Sequence, residues 1–337
     1  MNEYLKKLQE EYGYSKELTE VLGNIIPAFV EHFGQENEQL ILDAISSCEI
    51  HMQEEKEKPE EYLSEFFPDK DIEKLPTMAR AFYESMPIIN NDNISSKRLI
   101  YMRNSDLQSE TTITTLVHEM GHLIKAYDKE YLEVDGKIQK RDGISTTIMT
   151  KDKETGKYIS KEESNTAIEE AINCYDEEKI MSIILDREFA DVNYSYHFNE
   201  AINPLFKNQE LVTAFRNAQL HGTDEHIKLI GKEDFEKLSE YCEKIYHPFV
   251  ASFSELKNGG TELLKKEREE AKKAIIDYSN KYRENKEKNF SLENIEELDK
   301  TVSFKERENG MKTLKEIMQK TQEKAIIVEE KENDSRI

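Results

Sequence analysis

The chain has 337 residues, of which 37% are hydrophobic and 35% charged, enough for a sizeable core beneath a generous polar surface. The net charge of −23 is unevenly spread: residues 251–337 carry 19 basic and 20 acidic side chains, which leaves 28 and 50 for residues 1–250. So acidic a surface repels phosphate backbones, and nucleic acid is not expected as a partner. No run approaches the roughly 20 apolar residues of a membrane-spanning helix, so no membrane partner is expected either. The opening MNEYLKKLQEEYGYS has no apolar segment after its lysines and does not read as a secretory signal. Cys48, Cys174 and Cys242 are too scattered for a disulfide framework or a thiolate metal site, which fits a reducing, cytoplasmic setting.

Leu40, Ile41, Ala44, Ile45, Cys48 and Met52 recur at helical spacing, and Pro59, Pro68, Pro76 and Pro87 cut the following stretch into short helices and turns. Residues 1–90 therefore read as an N-terminal helical lobe. Lys97–Arg103 (KRLIYMR) follows the turn-rich NNDNISS and reads as a short strand. Threonines 111, 112, 114 and 115 open a helix running to about Ala126. Between Tyr131 and Thr150, Asp135-Gly136 and Asp142-Gly143 punctuate an alternating stretch that suggests two short strands. Lys151–Lys161 reads as an exposed loop, and a second strong helix spans about Glu163 to Arg187. Further helices reach about Pro248 and complete a domain over 91–250; residues 251–337 form a charge-laced helical extension with a frayed tail. The fold class expected is α+β and mostly helical, with one small sheet.

One constellation stands above the rest. His118-Glu119-Met120-Gly121-His122 lies on the helix TTLVHEMGHLIKA, where two histidines at i and i+4 project from one face and reach a common metal ion. Glu119 sits beside that ion, placed to take a proton from water. Leu116, Val117, Met120, Leu123 and Ile124 fall between about 140° and 260° from His118 at 100° per residue, so the apolar arc lies opposite the histidines. Imidazole ligands with an open position are the pattern of catalytic zinc, and Zn2+ is the expected cofactor. His32, His51, His221, His226 and His247 are scattered and read as surface or capped side chains.

A third ligand is available from Glu169-Glu170-Ala171-Ile172-Asn173, 47 or 48 residues after His122. With that run the sequence resembles the gluzincin branch of the zincin metallopeptidases, in which a glutamate on a later helix completes HExxH. The resemblance covers roughly residues 97–187. Lys125 stands where the HExxHxxGxxH spacing of the metzincin branch has glycine, and no third histidine follows. The aminopeptidase motif GxMEN is absent, and Cys174 replaces the aspartate usual four residues after the glutamate. The resemblance implies a zincin-like catalytic domain, peptide or protein substrates, and zinc held by His118, His122 and Glu170 with Glu119 as general base. By angle alone Glu169 lies nearer the buried face, but Ala167, Ala171 and Cys174 let Glu170 approach closely, while Asn165, Thr166 and Asn173 give Glu169 a solvent-like surface. An oxyanion donor is also needed, and Tyr194, Tyr196 and His197 in the segment YSYH are the local candidates. Zincins commonly align substrate on an edge strand before the active helix, which here would be Leu99–Arg103. A zincin-derived binding or regulatory protein without catalysis, and an effector or toxin protease exported without a signal peptide, are the alternatives.

Overall fold

A computed structural model describes residues 2–70, 80–90, 93–103, 106–189 and 209–250. Three helices, α1 (Asn2–Tyr12), α2 (Lys16–Phe33) and α3 (Glu38–Ser46), lead into strand β1 (Cys48–Met52) and helix α4 (Pro59–Phe66). A hairpin of β2 (Ala81–Asn90) and β3 (Asn93–Met102) precedes α5 (Glu110–Tyr127), the helix that carries HExxH. Four strands follow, β4 (Tyr131–Val134), β5 (Lys137–Asp142), β6 (Ser145–Lys151) and β7 (Tyr158–Ser164). The chain continues through α6 (Thr166–Leu185), α7 (Gln209–His221), α8 (Glu225–Ile230) and α9 (Lys232–Val250). The fold is α+β. Among the described residues no helix is long and apolar enough to cross a membrane.

The first sheet has the order β1-β3-β2, with β1 parallel and β2 antiparallel to β3. One face of it (Cys48, Ile50, Ala81, Tyr83, Ile100, Met102) joins a core with α1, α2, α3, α5 and the end of α6. The other face (Phe82, Met86, Leu99, Tyr101) is covered by Leu63 and Phe67 on and after α4. The second sheet is an antiparallel meander in sequence order, β4-β5-β6-β7. Asp135 and Gly136 both take positive φ in its first turn, the handedness a two-residue hairpin prefers. A further core packs the start of α6 against α7, α8 and α9.

The structure corrects several expectations. Helix α3 ends at Ser46, where Ser46 and Ser47 turn their hydroxyls onto the carbonyls of Leu42 and Ala44; Cys48 and Met52 lie on β1, not on the helix. Pro87 breaks nothing. It sits in β2 on the side away from β3, where its missing N–H costs no ladder bond. Strand β3 begins four residues earlier than the expected Lys97 and pairs on both sides, so Leu99–Arg103 is central and the edge next to α5 belongs to β2. The N-terminal helices share a core with α5. Of the expected loop 151–161, residues 152–157 are a turn tied by the Asp152 carboxylate, while Lys151 ends β6 and 158–161 belong to β7. His32 is half-buried against Asp176, and His226 is buried between Phe215 and Phe235. Tyr194, Tyr196, His197 and the extension over 251–337 lie outside the described residues.

The histidine helix is locked to α6 by a buried cation. Lys125 is 0% exposed, with Nζ 2.7 Å from Asp176 and donating to Asn173 Oδ1 at 3.1 Å. Asp176 also meets His32 at 2.8 Å and Arg216 at 3.5 Å. Burial alone would raise the Asp176 pKa, but Lys125, His32 and Arg216 hold it well below the carboxylate range. Removing one partner of such a pair leaves a buried charge uncompensated. Asp176→Ala is therefore expected to lose about 3–5 kcal/mol, read from urea unfolding at neutral pH. Because the folded pKa is depressed, that stabilisation exists above the unfolded carboxylate pKa and fades as pH falls; the gap between wild type and variant should narrow below about pH 4. A gap that is constant with pH would mean that the carboxylate charge contributes nothing.

Candidate metal centre

On α5, Leu116, Val117, Met120, Leu123 and Ile124 are all buried, which turns His118 and His122 to the opposite side as the wheel requires. Gly121 faces α6. A Cβ there would stand 2.3 Å from Asn173 Oδ1, so only glycine lets the two helices approach this closely. Asn173 uses the space to donate Nδ2–H to the His118 carbonyl at 3.0 Å while accepting from Lys125.

At that separation three side chains converge. His118 Nε2 lies 3.2 Å from Glu170 Oε1, His122 Nε2 lies 3.3 Å from Glu170 Oε2, and the two Nε2 atoms are 3.3 Å apart. Each imidazole is tied through its other nitrogen, His118 Nδ1 to Glu177 Oε2 at 2.8 Å and His122 Nδ1 to Asp142 Oδ1 at 3.4 Å. Glu119 accepts the Tyr83 backbone N–H on Oε2 at 2.7 Å, which fixes its carboxylate beside the histidines and against β2.

The electrostatics follow from this packing. Burial works against charge on the imidazoles, yet Asp142 and Glu170 lift His122 to about 10, and Glu170, Cys174 and Glu177 lift His118 well above its ordinary value. Burial works against charge on Glu170 too, and the two imidazoles overcome it, holding that carboxyl well below the usual range. Glu119 goes the other way: burial, opposed by the imidazoles and by the Tyr83 N–H, raises its pKa.

The adjacent glutamates point to different places. Glu169 is 1% exposed, contrary to the solvent-like surface expected for it. Its Oε2 accepts the Ile144 N–H at 2.7 Å and its Oε1 accepts from Gln219 at 2.6 Å, with burial pushing its pKa up to about 7. Gly143, at φ +59°, leaves the room its carboxylate needs; a Cβ would stand 2.1 Å from it. Glu170 is thus brought to the histidines and Glu169 is not.

The donor set fits a divalent ion of the zinc class. Ligand atoms about 2.0–2.1 Å from a tetrahedral centre stand about 3.3 Å from one another, which matches the observed separations. Carboxylates on both Nδ1 atoms fix the ring orientations, as ligating histidines require. The sequence reading missed both of these partners. Glu177 follows Glu170 by seven residues, two turns along the same face, and so was legible in principle; Asp142 was recognised only as a turn residue. Cys174 also stands close: its Sγ, a His118 ring nitrogen and a Glu170 oxygen all lie within 4.8 Å of one another. Burial pushes that thiol up to about 12 despite the nearby imidazole, which keeps it neutral.

No protein-family model, curated protein or solved structure matches the chain.

Proposed function

We propose that the protein is a zinc-dependent peptidase of the gluzincin kind, hydrolysing peptide bonds with Glu119 as general base. The observation that carries this reading is the convergence of His118 Nε2, His122 Nε2 and the Glu170 carboxylate at 3.2–3.3 Å, with both Nδ1 atoms held by carboxylates and Glu119 alongside. His118, His122 and Glu170 would hold the ion. When bound, zinc supplies Lewis acidity, polarising a carbonyl and making water easier to deprotonate.

The chain's own groups do the rest. Glu119 has one oxygen anchored by the Tyr83 N–H, which leaves the other to accept a proton from water. Burial raises its pKa, which strengthens it as a base toward water and makes the proton it gains available to the departing amine. Its attachment to β2 also sets the base at a fixed height relative to the sheet edge, so a peptide paired with that edge meets the base in one register. The zincin-like arrangement of edge strand, active helix and glutamate helix is part of the same reading, supported by β2 lying beside α5 and by α6 packing across it.

Three outcomes test this. Zinc-loaded wild type should hydrolyse members of a peptide library, and Glu119→Gln should keep its zinc while losing about 10²–10⁴-fold in rate; near-normal turnover would remove Glu119 as the base. Glu170→Gln should lose zinc on mild chelation, whereas Glu169→Gln should keep it; the reverse pattern would mean that the wrong glutamate has been assigned. Metal uptake should release protons, since the carboxylates around His118 and His122 favour their protonated forms in the metal-free protein. Titration calorimetry in buffers of different ionisation enthalpy would show this, and an enthalpy independent of buffer would contradict it. Zinc affinity accordingly rises with pH across the neutral range.

A further inference from the structure

Strand β2 is an edge strand, and its outward-facing groups are identifiable. Tyr83 gives its N–H to Glu119 and Ser85 offers its carbonyl to Lys70, so residues 81, 83, 85 and 87 turn their backbone groups away from β3. The edge is chemically uneven along its length. At Ser85 every polar group is engaged: the N–H donates to Glu84 Oε1 at 2.8 Å, the carbonyl accepts from Lys70 Nζ at 3.1 Å, and Oγ is 2.8 Å from the Tyr131 hydroxyl. Two residues on, Pro87 has no N–H to offer.

The groups that cover Ser85 form a bridge. Glu84 Oε1 takes Lys70 Nζ at 2.5 Å and Lys140 Nζ at 2.8 Å, with all three side chains between 12% and 15% exposed. Burial would raise the Glu84 pKa, but the two ammonium groups hold it at about 2, so this carboxylate stays charged through the physiological range. Its two lysines come from different parts of the chain. Lys140 is on β5, and the segment carrying Lys70 is fastened to the start of β7, where Tyr158 donates its N–H to the Asp69 carbonyl at 2.9 Å. A peptide extending past Tyr83 would have to break charge-assisted hydrogen bonds that are sheltered from water.

Resting on the peptidase reading, we propose that the Lys70–Glu84–Lys140 bridge closes the pairing edge of β2 two residues beyond Tyr83, so that the enzyme cuts bonds next to a chain end. Among the described residues, Ala81 and the Tyr83 carbonyl are left to align the substrate on the other side. Pairing positions on one edge are about 6.6–6.8 Å apart, so the room past the site is one such step before the bridge is met. The substrate class is then a linear peptide with a free end, trimmed progressively.

The test uses zinc-loaded full-length protein and one unstructured peptide in three forms: linear, blocked at both ends, and head-to-tail cyclised, with products followed by mass spectrometry. Trimming of the linear form from one end, with the blocked and cyclic forms resistant, is the expected result; separately blocked ends identify which terminus is read. Cleavage of internal bonds in the cyclic form as readily as in the linear one overturns the proposal and leaves the peptidase reading intact. Failure to cut any form overturns both. Lys70→Ala, which frees the Ser85 carbonyl, should lose the discrimination between linear and blocked peptides. Discrimination that persists in this variant, with an unchanged unfolding midpoint, would also overturn the proposal; should the variant not fold, the three-peptide comparison on wild type still decides.

Discussion

The arrangement depends on the ionic seam between α5 and α6. From α5 come His118, His122 and Lys125; from α6 come Glu169, Glu170, Asn173, Asp176 and Glu177. Lys125, Glu169, Asn173 and Asp176 are each at most 1% exposed. Buried charges of this kind gain little net stability over apolar packing, but they cannot be left unpaired. A slip of one residue between the helices would strand Lys125 among apolar side chains and place Gly121 away from Asn173. The seam therefore sets register, and register sets the distance between Glu170 and the imidazoles.

That constraint explains the unusual composition of α6. Ile180 and Met181 enter the core shared with the N-terminal helices, while Ala167, Ile168, Ala171 and Ile172 enter the core formed with α7, α8 and α9. The remaining side meets α5 with carboxylates and an amide. A helix enclosed on all sides, with one of those sides polar, shows little amphipathic pattern. Its polar residues are satisfied by neighbours rather than by water.

The seam also marks where the sequence was legible and where it was not. Helix α5 was readable because its apolar arc and its histidines lie on opposite sides, and the close helix approach at Gly121 was visible in the residue itself. Glu170 could be picked out by its small neighbours Ala167, Ala171 and Cys174. Glu169 was misjudged because its partners, Ile144 and Gln219, are 25 and 50 residues away and no local pattern reports them. Asp142 faces His122 for the same long-range reason. Strand β2 was hidden because both of its faces are buried: Phe82, Tyr83, Ser85 and Met86 give no alternation of apolar and polar residues. Pro87 then read as a breaker. Strand β1 was absorbed into the preceding helical pattern since Cys48 and Met52 continue its spacing, and only the two serines signal the break.

Much of the centre's geometry is held by contacts that involve no ion. Lys125 with Asp176, and Asn173 with the His118 carbonyl, fix the helix spacing; Glu177 and Asp142 fix the rings. The His118, His122 and Glu170 atoms, already 3.2–3.3 Å apart, would need little reorganisation to receive the proposed cation, so little binding energy would go into ordering them. The same contacts couple Glu119 to the sheet. The Tyr83 N–H that orients Glu119 is one of the outward groups of β2, so on the proposed peptidase reading the strand that would offer an edge to a peptide would also position the general base. Displacing β2 would move both together. On that reading the relative placement of peptide and base would be a property of one strand, and the residues that anchor its outer edge, Lys70 and Glu84 among them, would act on that placement from outside the proposed metal ligands.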